Sequence, residues 1–186
     1  MERALHWANA TLVLTLLATG ASLYFGPLSE IVGRRALVKN VHVISGLLLP
    51  IPFVLTLPWP FARSLRRDIG RLNRWGDPKF NKGQQLNAAF VAGALVLMFV
   101  TGLMLRWPDR FADDLRTGAT FVHDWVFIGL LVTVAGHIWL AISYRETLRG
   151  MWRGRVSRDW ARRQRPGWLA ELDADAGDSS TSRTRS

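Results

Sequence analysis

Hydrophobic and polar positions in this chain are not interleaved; they come in blocks. Four windows, residues 5–25, 40–62, 83–105 and 117–144, contain no Lys, Arg, Asp or Glu apart from Asp124. Each reaches the ~20 residues that a helix needs to cross ~30 Å of hydrocarbon. They are apolar on every side rather than along one stripe, which is the pattern of a helix surrounded by lipid. The pattern predicts an all-α fold, an integral membrane four-helix bundle. Pro50, Pro52, Pro58 and Pro60 crowd the second half of the second window. Its last part is therefore expected to kink or to lie at the interface. No internal repeat of fixed period is present.

Charge adds an orientation. The net charge of +10 raises nucleic acid as a partner, but the basic residues sit where a membrane topology wants them. Residues 63–82 hold seven Lys/Arg against two acids, and residues 145–165 hold eight Arg against two acids. In the other two connections the balance differs. Arg34, Arg35 and Lys39 accompany Glu30 in one, and Arg106, Arg110 and Arg116 face Asp109, Asp113 and Asp114 in the other. The positive-inside rule then puts both termini and the middle loop in the cytoplasm of a multi-pass plasma-membrane protein. Trp7, Trp59, Trp107 and Trp139 lie near window ends, as an interfacial aromatic belt requires. Lipid is the expected surrounding, and no nucleic-acid partner is expected.

Two terminal features bear on the domain division. Arg3, an apolar run and small residues near Gly20 imitate a secretory signal. The run is long for that, and cleavage would discard His6, so the segment reads as the first spanning helix. The final stretch ELDADAGDSSTSRTRS is polar and poor in aromatics, the composition of a disordered tail. The division expected is a transmembrane domain over residues 1–145 and an Arg-rich, partly disordered cytoplasmic tail over residues 146–186.

The candidate chemistry lies in four histidines. His6, His42, His123 and His137 are all that the chain has, and each falls within an apolar window. An ionisable side chain inside a membrane is costly and marks function by default. His123 and His137 are fourteen residues apart. On a helix that is about 21 Å of rise and about 40° from eclipsed, so both share one face at opposite ends. With the topology above, His6 and His137 lie at the cytoplasmic side, and His42 and His123 at the outer side. Two pairs at two depths suit axial ligation of two six-coordinate haems, in which neutral imidazoles occupy both faces of the ring. Zinc or copper would need its imidazoles gathered at one ion, and a proton relay would need carboxylates at mid-depth. There is no Cys, which excludes disulfides, thiolate-held iron–sulfur clusters and the C-x-x-C-H mode of covalent haem attachment. Gly20, Gly46, Gly102 and Gly136 are candidates for close approach of a flat macrocycle, or equally for ordinary small-residue helix packing. Arg35, Lys39 and Arg106 outside, and Arg145 inside, are candidates for meeting haem propionates or are simply solvated flanking charges. Asp124 either hydrogen-bonds a ligand histidine or faces water.

These residues carry a resemblance. LHWANA around His6, VHVISG around His42, KFNKGQQLNAAF entering the third window, TGLMLRWP leaving it, and VHDW with AGHIWL in the fourth resemble the gamma subunit, cytochrome b556-type, of membrane-bound formate dehydrogenase. That family belongs to the wider four-helix di-haem cytochrome b, or b561-like, superfamily. The resemblance covers roughly residues 5–144; the Arg-rich C-terminal extension lies outside it. It implies two haem b groups, an outer one on His42 and His123 and an inner one on His6 and His137. It implies a quinone site at the entry to the third helix, where this chain has Asn81, Gly83 and Gln84; Asn81 and Gly83 equally suit a helix-start turn. It also implies iron–sulfur and/or molybdenum oxidoreductase subunits as partners on the outer side.

The expectation is a di-haem electron-transfer subunit between an external oxidoreductase and the quinone pool, reducing quinone only together with its partner. The alternatives are a b561-type cytochrome serving another molybdoenzyme or a hydrogenase, and, from a different class, a haem-free membrane anchor or transporter subunit.

Overall fold

The computed structural model describes residues 2–56, 62–72 and 74–183. Every regular element among them is helical. The order is α1 Glu2–Tyr24, α2 Gly26–Val32, α3 Arg35–Leu48, α4 Ile51–Thr56, α5 Ala62–Leu72, α6 Lys82–Arg106, a 3-10 turn Pro108–Arg110, α7 Asp113–Ser143, α8 Arg145–Arg153, α9 Arg158–Gln164 and α10 Pro166–Arg183. Four spans, Arg3–Tyr24, Arg35–Leu55, Lys82–Arg106 and Asp113–Ser143, are long and apolar enough to cross a membrane.

The four windows thus become four spans, with one revision. The second helix begins at Arg35, five residues ahead of its charge-free window, and stops at Leu48. A turn at Leu49 and Pro50 separates it from α4. The proline rings cannot continue the backbone ladder, so the expected break falls at the first of them. Pro58, Pro60 and Trp59 lie outside the described residues.

The bundle is assembled from neighbours in sequence and closed across its ends. α1 packs on α3, α6 packs on α7, and α3–α6 and α1–α7 contacts close the ring. At its centre sit Leu17, Ala94, Phe127 and Leu130. Small or hydroxyl side chains, Ser22, Ser45, Thr101 and Ala119, are buried with them. Small residues let helix backbones approach where lipid offers no hydrophobic drive for association. Many other large apolar side chains turn outward: Leu14, Ile44, Leu97 and Val132 are all exposed, as a lipid-facing surface requires.

Local chemistry sets the helix ends. Asn81 and Gln84 form a reciprocal capping box at the start of α6, satisfying two orphan amides. Asp113 and Asp114 occupy the first turn of α7, where carboxylates favour the helix dipole. α2 and α8 end on Gly33 and Gly154, each at positive φ, which an αL cap requires and a Cβ disfavours. Gln85 is buried and donates Nε2 to the carbonyls of Arg71, at 3.2 Å, and Arg74. It thereby serves acceptors at the end of α5 from the first turn of α6.

The C-terminal part carries three further helices, α8, α9 and α10. Pro166–Arg183 is helical, and side-chain contacts join its first half to α9 and α5 and join α8 to α1. Arg158 pairs with Asp173 at 2.8 Å and Arg71 with Glu171 at 2.9 Å. Arg3 donates to the Trp152 carbonyl at 2.7 Å, and Trp7 stacks near Trp152 with ring centres 4.9 Å apart.

One elbow of this region carries a pH dependence. The Ser157 amide donates to Glu146 Oε2 at 3.0 Å, and this bond, with Arg149 beside it, holds the Glu146 carboxyl below its ordinary value of 4.5. A lowered carboxyl stabilises the fold fully above the ordinary value and loses that contribution as pH falls through the lowered one. Protection of the Ser157 amide, corrected for intrinsic exchange, should hold at neutral pH and fall away only once the pH drops below the ordinary carboxyl value of 4.5. Glu146→Gln should remove the step.

Candidate functional site

The structure brings the four histidines together as two pairs. His6 and His137 have ring centres 6.4 Å apart, and His42 and His123 have ring centres 6.3 Å apart. The first pair joins α1 to α7 and the second joins α3 to α7, so α7 contributes one member to each. His6 and His42 are half-buried, as is His123, whereas His137 is exposed on the bundle's flank. The second pair lies deeper than its place in the charge-free windows suggests. α3 begins seven residues before His42 and α7 ten residues before His123, about 10 and 15 Å of helix. Polar first turns extend both helices beyond their apolar stretches.

Each imidazole of the deeper pair is gripped by a threonine from a helix that carries no member of that pair. Thr19 Oγ1 of α1 lies 2.9 Å from His42 Nδ1, and Thr101 Oγ1 of α6 lies 2.9 Å from His123 Nδ1. Gly20 and Gly102, the next residues, face the same rings: a Cβ on either would meet His42 Cε1 at 3.5 Å or His123 Cε1 at 3.6 Å. Around this pair opens a cavity of about 1290 Å³, lined among others by Leu17, Gly46, Phe127, Lys39 and Arg106. Ordinary small-molecule pockets run ~300–1,000 Å³, so this one admits a large group.

The dimensions fit an axially ligated macrocycle. With a metal–imidazole bond of ~2.0 Å and each ring centre about 1.1 Å behind its nitrogen, two opposed rings spanning one ion would be about 6.2 Å apart between centres. Both observed pairs match that spacing. The deeper pair adds a cavity with glycine against both imidazole rings and two cations on its wall. Among the described residues, no three or more His, Asp or Glu side chains gather as a metal cluster. Of the other candidates, Gly136 has no neighbour within 4 Å of a built Cβ. Arg35 is engaged with Ser29 Oγ at 3.1 Å, which gives it a local role between α2 and α3. Asp124 lines the cavity, and Arg145 opens α8.

The entry of α6 sits at the other end, with His6 and His137. α6 runs antiparallel to α7: Thr101 meets His123, and Gly129 faces Phe90. The same register brings the start of α6 level with the end of α7 that carries His137. There, Asn81 Oδ1 accepts from the Gln84 amide at 2.7 Å, and Gln84 Oε1 accepts from the Asn81 amide at 3.0 Å. Arg165 Nη2 also donates to Gln84 Oε1 at 3.1 Å. Gly83 lies between them, a built Cβ standing 3.5 Å from Asn81 Oδ1. These bonds use the two side-chain oxygens as acceptors. The side-chain amide nitrogens take no part in them and remain the donors of this exposed corner.

Sequence reading overlooked Thr19 and Thr101. The couplet Thr–Gly marks them at 19–20 and 101–102, but it also occurs at 117–118, so the couplet alone does not single them out.

Residues 1–154 match the family described as Prokaryotic cytochrome b561. Among individual proteins, the chain is 22% identical to the nitrate-inducible formate dehydrogenase cytochrome b556(Fdn) subunit of Escherichia coli K12, covering 93% of this chain and 89% of that protein. It is 23% identical to the formate dehydrogenase cytochrome b556(fdo) subunit of the same strain, covering 92% and 90%. It is 25% identical to the formate dehydrogenase cytochrome b556 subunit of Haemophilus influenzae, covering 91% and 79%.

Proposed function

This chain belongs to the prokaryotic cytochrome b561 family, and we propose that it is a di-haem electron-transfer subunit between an oxidoreductase partner and membrane quinone. The observation that carries this reading is the meeting of all four histidines as two pairs, one towards each end of a membrane bundle. The family is one of b-type cytochromes, so haem b is the implied group. His42 and His123 would hold an outer haem, and His6 and His137 an inner one. When bound, haem b with both axial positions filled supplies one-electron transfer rather than oxygen binding.

The chain's own residues perform the rest. Lys39 and Arg106 on the cavity wall are placed to meet the propionates of the outer group. At the inner end, Asn81 Nδ2 and Gln84 Nε2 offer donors to a quinone carbonyl, with Gly83 leaving room for its approach. The Lys/Arg asymmetry of the loops orients both termini, residues 146–186 and that corner towards the cytoplasm of a plasma-membrane protein, where protons for quinone reduction are available.

The relatives named above are formate dehydrogenase subunits, which favours a formate dehydrogenase-like partner with iron–sulfur and molybdenum subunits on the outer side. Identities of 22–25% and the broader family description favour, as a second reading, a cytochrome serving another molybdoenzyme or a hydrogenase. A haem-free anchor is the reading to eliminate. Detergent-purified protein, examined by reduced-minus-oxidised spectrum and pyridine haemochrome assay, should carry about two b haems per chain. Absence of haem, from cells able to make it, would overturn the proposal.

A further inference from the structure

The two threonine contacts share a logic that fixes a proton. A threonine hydroxyl has one hydrogen to give. Thr19 Oγ1 gives it to the Thr15 carbonyl at 2.7 Å, and Thr101 Oγ1 gives it to the Leu97 carbonyl at 2.7 Å. Each oxygen therefore meets its imidazole, at 2.9 Å, as an acceptor. The hydrogen in that contact belongs to Nδ1, so His42 and His123 are both held as Nδ1–H tautomers with the lone pair on Nε2. An imidazole must present that lone pair to a metal, and a hydrogen bond at its other nitrogen orients the ring and raises its basicity.

Back-bonding to the preceding turn is itself common in this chain. Thr11 and Thr15 also bond the carbonyl four residues earlier. Among the described residues, only Thr19 and Thr101 add a histidine, and each is followed by a glycine against that same ring. The arrangement is duplicated on α1 and α6, so all four spanning helices serve this one pair: α3 and α7 with the imidazoles, α1 and α6 with their supports. Among the described residues, neither His6 nor His137 has a hydroxyl at Nδ1.

We propose that Thr19 and Thr101 are positioning residues that lock His42 and His123 in the metal-binding tautomer and lower the reduction potential of the outer haem relative to an unsupported bis-histidine site. The inference rests on the reading of that pair as haem ligands. Its physical basis is that a more basic imidazole stabilises ferric over ferrous iron.

The test is Thr101→Val and Thr19→Val, each with its Thr→Ser counterpart, in the full-length holoprotein. Valine keeps the shape and removes the acceptor; serine keeps the acceptor. Optical redox titration should show the outer haem shifted towards the ferrous state by about tenfold in Thr101→Val, about 59 mV upward for one electron, and in the same direction but by less in Thr19→Val, where the Leu16 carbonyl remains as a partner of His42. The serine variants should stay near wild type, and the inner haem should keep its potential and serve as the folding control. Loss of the outer haem alone in the valine variants, with retention in the serine variants, would equally support the proposal. Valine variants holding both haems at wild-type potentials would overturn it and reduce the threonines to helix back-bonding. Wild-type protein lacking the outer haem would overturn instead the ligand reading beneath it.

Discussion

His123→Ala is expected to remove one of the two haems and leave the other in place. Haem content should fall from about two to about one per chain, with the remaining haem spectrally unchanged. The expectation follows from geometry: His42 and His123 face each other with ring centres 6.3 Å apart, and one imidazole cannot fill both axial positions. His42→Ala should give the same loss, and the double variant should be no worse than either single one. Such non-additivity is the mark of two groups acting as one unit. The variants should still fold, because the bundle's centre is built from Leu17, Ala94, Phe127 and Leu130 and not from the histidines. Two haems retained in His123→Ala would reject this pairing, and loss of both in a protein of unchanged helicity would show the sites to be interdependent.

His137→Ala carries the second large effect, and it falls on coupling to quinone. The protein should keep the haem held by His42 and His123 but lose the one beside the α6 entry, where Asn81 and Gln84 present their amides. His123 lies fourteen residues from His137 along α7, about 21 Å. In anaerobic stopped flow, the reduced variant mixed with a short-chain quinone analogue should reoxidise on the order of 100-fold more slowly than wild type, about 2.7 kcal/mol of barrier. Reoxidation at the wild-type rate would place quinone at the other end of the bundle. His6→Ala should match His137→Ala, since their rings meet at 6.4 Å.

Much of this arrangement is legible in residue order. Four windows with a single charge among them, Asp124, name the four spans, because the cost of burying a charge in hydrocarbon is a property of composition over about 20 residues. The pairing of His6 with His137 and of His42 with His123 is also legible. It needs only helix rise, the fourteen-residue spacing in α7 and the up-and-down order that loop charges imply. Asn81 as a helix start is readable too, since a capping box is a local pattern.

Other features are not local. The start of α3 at Arg35 and of α7 at Asp113 put His42 and His123 deeper than their windows suggest, because helices continue through polar turns that hydropathy discards. The docking of the C-terminal part brings Arg3, Arg71 and Gln84 to Trp152, Glu171 and Arg165, contacts between residues eighty or more positions apart. The grip of Thr19 on His42 and of Thr101 on His123 depends on how each helix is rotated about its axis. In a soluble helix the apolar stripe would announce that rotation. Spans that are apolar all round carry no such stripe. The sequence by itself therefore determined how many helices cross the membrane and which histidines share a level. Only tertiary packing decided which faces turn inward, and with them which threonine oxygen meets the Nδ1 of His42 and of His123.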